Sequence, residues 1–157
     1  MLKKLLFMII CCLMLTACGE NGIKFEANEQ KPEYQGDCSY IFDEHIKGKT
    51  VPNGFITRKM ASDIKKVIKA HKSKNDSDDD SIDEDTAVDI AIAIMKNPPP
   101  DNFFEKPTFY CLSYKPDLDA YLIDIGEEYE NPNIVGGLST KMIISKKDGT
   151  LLAIWTS

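Results

Sequence analysis

The sequence has no glycine-rich phosphate loop, no paired metal-binding cysteines and no nucleophile-elbow motif. Phosphate-loop, zinc-finger and serine-hydrolase chemistry therefore have no residues to rest on. Histidine is scarce: His45 and His71 are the only two. Basic residues are outnumbered, with 19 Lys and Arg against 25 Asp and Glu, for a formal net charge of −6. A chain of that sign repels phosphate backbones, so nucleic acid is not an expected partner. No apolar run reaches the length of about 20 residues that a membrane-spanning helix needs. Nothing in the composition calls for a cofactor or a metal.

What is present begins at the first residues. Lys3 and Lys4 form a short positive segment, and residues 5–15 are an apolar run. That run is too short to span and has the length and flanks of a signal-peptide core. Leu15-Thr16-Ala17-Cys18-Gly19 follows it. This resembles the lipobox of bacterial lipoproteins, in which a small residue precedes a cysteine that is acylated after cleavage. The resemblance implies removal of residues 1–17, a lipid on Cys18 and a cell-envelope address facing the periplasm. Two lipid signals anchor stably where one acyl chain does not, and the family's cysteine carries several chains. Gly19, where an aspartate might stand, resembles the pattern of outer-membrane delivery in an enteric-type host. Losing Lys3 and Lys4 makes the chain more acidic still.

The cysteines sort themselves accordingly. Cys11 and Cys12 leave with the signal and Cys18 is acylated, so Cys38 and Cys111 remain. An even pair in an oxidising compartment suggests a Cys38–Cys111 disulfide. It would close a loop of about 74 residues and contribute roughly 4 kcal/mol. The alternative is two buried free thiols.

Residues 18–36 carry no apolar period and read as a tether. Residues 37–80 read as an extension with one helix, preceded by strand-like composition at Ser39-Tyr40-Ile41-Phe42. Met60, Ile64, Val67, Ile68 and His71 recur at helical spacing and predict a helix over 58–72. Lys59, Lys65, Lys66, Lys69 and Lys72 form its solvated face. An acidic run follows, with seven carboxylates in 76–85. Asp76, Asp78 and Asp80 match the first ligand positions of a calcium loop. Ser81 then stands where glycine is needed, and Ala87 where a bidentate glutamate is needed. A flexible acidic loop is the expectation.

Ser81-Ile82-Asp83-Glu84 fits a capping box. It opens a helix expected to run to about Lys96, apolar nearly all round and so buried against a sheet. Strands are expected at 108–114, 120–125, 138–145 and 150–155, with turns at Lys115-Pro116-Asp117-Leu118-Asp119 and Lys146-Lys147-Asp148-Gly149. The fold class is α+β: an N-terminal helix plus a helix packed on a four-stranded antiparallel meander.

Several pieces of residues 81–155 now combine: the alanine-rich helix, Glu105-Lys106-Pro107-Thr108-Phe109, Ile125-Gly126, Gly136-Gly137, and the segment from Ile144 through Lys146-Lys147-Asp148-Gly149 to Ile154. Together they resemble the small domain of the nuclear transport factor 2-fold immunity proteins of bacterial polymorphic-toxin systems. Tyr121 stands where that family commonly has tryptophan, and Trp155 where it often has histidine. The resemblance implies a domain at 81–157 that binds and neutralises a cognate secreted toxin without catalysis. The helix and meander also resemble PepSY-type periplasmic modules, which leaves a binding module, or a structural envelope lipoprotein, as alternatives. No family site can be transferred. On physical grounds Asp76, Asp78, Asp79, Asp80, Glu127, Glu128 and Glu130 are the candidate partner-binding carboxylates, able to steer a basic surface. The larger fold also hosts enzymes, but neither histidine lies in the matched region. Asp124 is the single acid inside a strand; alternation sets it opposite Tyr121, Ile123 and Ile125, on a face expected to meet solvent.

Overall fold

The computed structural model describes residues 31–38, 40–73, 81–97, 107–127 and 139–156. Among these residues three helices stand in chain order: α1 (Asp43–Ile46), α2 (Arg58–Lys72) and α3 (Glu84–Met95). Five strands form one sheet in sequence order: β1 (Glu33–Tyr34), β2 (Phe109–Lys115), β3 (Ala120–Gly126), β4 (Ser139–Ser145) and β5 (Leu151–Thr156). β2 to β5 run antiparallel to their neighbours, while β1 adds a parallel edge. The class is α+β, as expected, but the sheet is five-stranded and mixed. β1 lies within the segment expected to be a tether. Its apolar pattern is absent because the pairing is carried by backbone: Glu33 N–H donates to Thr108 at 2.7 Å and Gln35 N–H to Tyr110 at 2.8 Å.

α2 covers the residues its periodicity marks. Met60 and Val67 are buried, Ile64 and Ile68 pack partly beside them, and Lys59, Lys65, Lys66, Lys69 and Lys72 are exposed. The Thr57 side chain caps it, accepting from Met60 N–H. α3 is buried from Thr86 through Met95, sealed between α2 and the sheet. Met60 and Val67 therefore share one core with α3, Ile123, Ile125, Met142 and Ile144. The helix of the 37–80 extension thus contributes side chains to the core of the 81–157 segment. Within the buried stretch Thr86–Met95 lies one charge, Asp89, 7 % exposed. His71 Nε2 meets its Oδ2 at 2.8 Å, and the Lys31 ammonium lies 2.9 Å from Oδ1.

The start of α3 differs from the expected capping box. Asp83, not Ser81, is the N-cap, and its carboxylate accepts from Thr86 N–H at 2.8 Å and from the Thr86 hydroxyl. Ile82 explains the shift. It is 4 % exposed, its N–H donates to Lys146 at 2.7 Å and its carbonyl accepts from the Tyr121 hydroxyl, so the chain stays extended through it. Asp83→Ala is expected to cost about 1–2 kcal/mol, because it strips the cap and orphans the buried Thr86 hydroxyl. Urea unfolding of the variant measures this, and a loss below about 0.5 kcal/mol would show that the cap is not needed.

Both expected turns are present. Pro116–Leu118 makes a single 3-10 turn closed by Asp119 at φ 45°, whose carboxylate accepts from the Tyr114 hydroxyl. Gly149 takes φ +72°, and a Cβ there would come within 2.8 Å of Ile90 Cδ1. Glycine is thus required twice over, by backbone conformation and by the close approach of the core.

The sheet's second face is covered as well. Cys38 and Ile41 lie against Cys111, Ala120, Leu122, Ile143 and Ala153, with Ile46 and Trp155 at the margin. Tyr40, Ile41 and Phe42 do not form the strand expected at 39–42, and Ser39 lies outside the described residues. Ile41 N–H turns back to the Cys38 carbonyl at 2.9 Å, and His45 N–H bonds to Phe42 to enter α1. This tight turn lets Tyr40 and Ile41 reach the sheet surface.

Candidate functional site

Strand alternation and register build the site. On the face away from α3, Cys111 opposes Asp124, Asp124 opposes Lys141, and Lys141 opposes Trp155. One row across four strands therefore reads thiol, carboxylate, ammonium, indole. The turn at residues 38–42 lays Tyr40 over this row, and α1 with the residues after it brings His45 and Lys49 to its rim. Between them lies a groove of about 530 Å³, walled by Tyr40, Ile41 and Trp155 and floored by Asp124, Ser139 and Lys141.

The floor is buried and charged. Asp124 is 3 % exposed and Lys141 8 %. Lys141 Nζ lies 3.3 Å from Asp124 Oδ2 and donates to Ser139 Oγ at 3.0 Å. The Tyr40 hydroxyl also donates to Asp124 Oδ2. Burial, and then the Asp124 carboxylate, push this phenol far above its ordinary value, so it stays a donor. Asp124 Oδ1 is buried with no hydrogen-bond partner. An unsatisfied buried acceptor is costly and uncommon in folded proteins.

Asp124 is thus not solvent-exposed, as alternation alone suggested. The side assignment is right, but Cys38, Tyr40, Ile41 and Ile46 cover that side. A signal was present: Asp124 shares its face with Ala120 and Leu122, and Lys141 shares its face with Ile143. Two charges among apolar neighbours on adjacent strands mark a covered face. Tyr40, His45, Lys49 and Trp155 carried no pattern that joined them.

The expected disulfide is absent. Cys38 and Cys111 are buried in the same small cluster as free thiols. Each sulfur is engaged elsewhere: Cys38 Sγ donates weakly to the Leu122 carbonyl at 3.5 Å, and the Cys111 sulfur lies against the Tyr40 hydroxyl. Burial pushes the Cys38 thiol up to about 12 and raises Cys111 as well. Neither is a ready thiolate.

Of the carboxylates expected to bind a partner, Glu127 follows β3 directly and is half-buried. Asp76, Asp78, Asp79, Asp80, Glu128 and Glu130 lie outside the described residues, as does Cys18. No protein-family model matches the chain, and no curated protein or solved structure is found to be similar to it.

Proposed function

We propose that the protein is a non-catalytic binding protein of the bacterial envelope, held to the membrane through acylated Cys18, that captures and neutralises a secreted protein toxin. One observation carries the binding reading. The buried acid and base of the groove are engaged with each other, and the Tyr40 hydroxyl donates to the same carboxylate oxygen. General acid–base catalysis requires a group free to exchange its proton near working pH, whereas a pre-paired floor under an aromatic wall suits recognition. The toxin reading is supported by the likeness of residues 81–155 to immunity domains and by the lipobox. In this reading the acidic residues Asp76, Asp78, Asp79, Asp80, Glu127, Glu128 and Glu130 draw in a basic toxin surface.

The test has two parts. Cys18→Ser should move the protein from the membrane fraction to the soluble one and abolish incorporation of a fatty-acid analogue. The soluble variant, mixed with the secreted toxin encoded beside its gene, should form a stoichiometric complex, and co-expression should restore growth. A serine variant that stays membrane-bound overturns the anchor. A toxin that neither binds nor is restrained overturns the inhibitor.

A further inference from the structure

We propose that the groove beside Trp155 is a binding site for a carboxylate that carries a neighbouring hydrogen-bond donor, as in an N-acylated amino acid or the free end of a peptide. Charge selects the class. The floor pair, Asp124 with Lys141, is neutral as a unit, which leaves Lys49, beside His45 on the rim, to set the sign. Neither has a carboxylate within 4 Å among the described residues. Lys49 Nζ instead stands 6.0 Å from the centre of the Trp155 ring. A net-negative chain thus presents a local cationic rim, and an anion entering there gains a charge-assisted contact.

The donor follows from the floor. Asp124 Oδ1 lacks a partner while Oδ2 receives both Tyr40 and Lys141. An amide N–H on the atom next to the carboxylate would satisfy Oδ1 once the Tyr40 ring, itself 48 % exposed, swings outward. Ile41 and the indole face supply apolar contact for the remainder of the ligand. This inference does not depend on the partner being a toxin.

Trp155 is the chain's single tryptophan, so its emission reports this groove alone. The full soluble chain is titrated with N-acetyl-leucine, N-acetyl-leucinamide, and acetyl-Gly-Gly-Leu as free acid and as amide. The expected result is a saturable change with at least one free acid, half-complete at or below roughly 1 mM, and a response to its amide at least about tenfold weaker. Lys49→Gln should weaken the acid by a similar factor, while Lys59→Gln, on the exposed face of α2, should change nothing. Preference for the peptide acid assigns the site to a chain end; preference for N-acetyl-leucine assigns it to a free small acid. Equal response to acid and amide, no saturable response to any of the four, or unaltered binding in Lys49→Gln overturns the proposal.

Discussion

Replacing Lys141 by methionine is expected to lower the unfolding free energy by roughly 3–5 kcal/mol, as breaking a buried ion pair does. Methionine keeps the unbranched stem that runs between Asp124 and Trp155 but removes the ammonium. Asp124, 3 % exposed with Oδ1 already unpartnered, would then hold its charge on the Tyr40 hydroxyl alone. A domain of this size has about 5–15 kcal/mol in total, so the loss is a large fraction of its stability. The double variant Asp124→Asn/Lys141→Met separates charge from packing. Its asparagine still accepts from Tyr40 and no ion remains unpaired, so most of the lost stability should return. Urea unfolding with an unchanged slope measures both variants. A single variant within about 1 kcal/mol of wild type would mean that water reaches the pair and screens it. A double variant no better than the single would place the cost in packing.

The two faces of the sheet differ in how far their residues announce them. The α3 face was legible: Ala87, Val88, Ile90 and Ile94 leave no polar side for water. Tyr121, Ile123 and Ile125 alternate toward that helix, as Met142 and Ile144 do from β4. Such a pattern depends on near neighbours and on one helix meeting one sheet. The opposite face was not legible, because its cover comes from a short turn and a helix of one turn, Asp43–Ile46. Neither is long enough for a period to show. Cys38 approaches Ser113 and Leu122, and Tyr40 approaches Asp124, across more than seventy residues of sequence. β1 escaped for a related reason: two residues pairing by backbone leave no side-chain signature. Ser81 and Asp83 both have a side chain suited to capping, and tertiary anchoring of Ile82 decides between them. The candidate groove is made almost wholly of these long-range approaches. Composition could point to Asp124 as an oddity without saying what lay over it.

Stability is expected to fall steeply as the pH rises from about 9 toward 12, and Cys38 should carry an identifiable share of that fall. In the unfolded chain the thiol ionises at its ordinary value of 9.0; in the folded protein burial pushes it up to about 12. Between those values the unfolded state has given up a proton that the native state retains. Stability associated with the protonated thiol is therefore fully present below pH 9 and is lost as pH rises through that window. The slope from one such group is about 1.4 kcal/mol per pH unit. With the site 1 % exposed, solvent screening offers little relief. Tyr40, Cys111 and Tyr121 are displaced in the same direction, each chiefly by burial. Tyr40 is half exposed and contributes less than its geometry alone would suggest. Surface lysines also lose charge in this range, so the measurement is a comparison. The urea midpoint of wild type and of Cys38→Ala is followed from pH 7 to pH 11.5. The alanine variant starts lower at pH 7, having lost the sulfur's packing in the cluster with Leu122 and Ile143. Its decline above pH 9 should be shallower, so that the two curves converge. Parallel curves across the whole range would show that the Cys38 thiol ionises as readily in the native protein as in the unfolded chain.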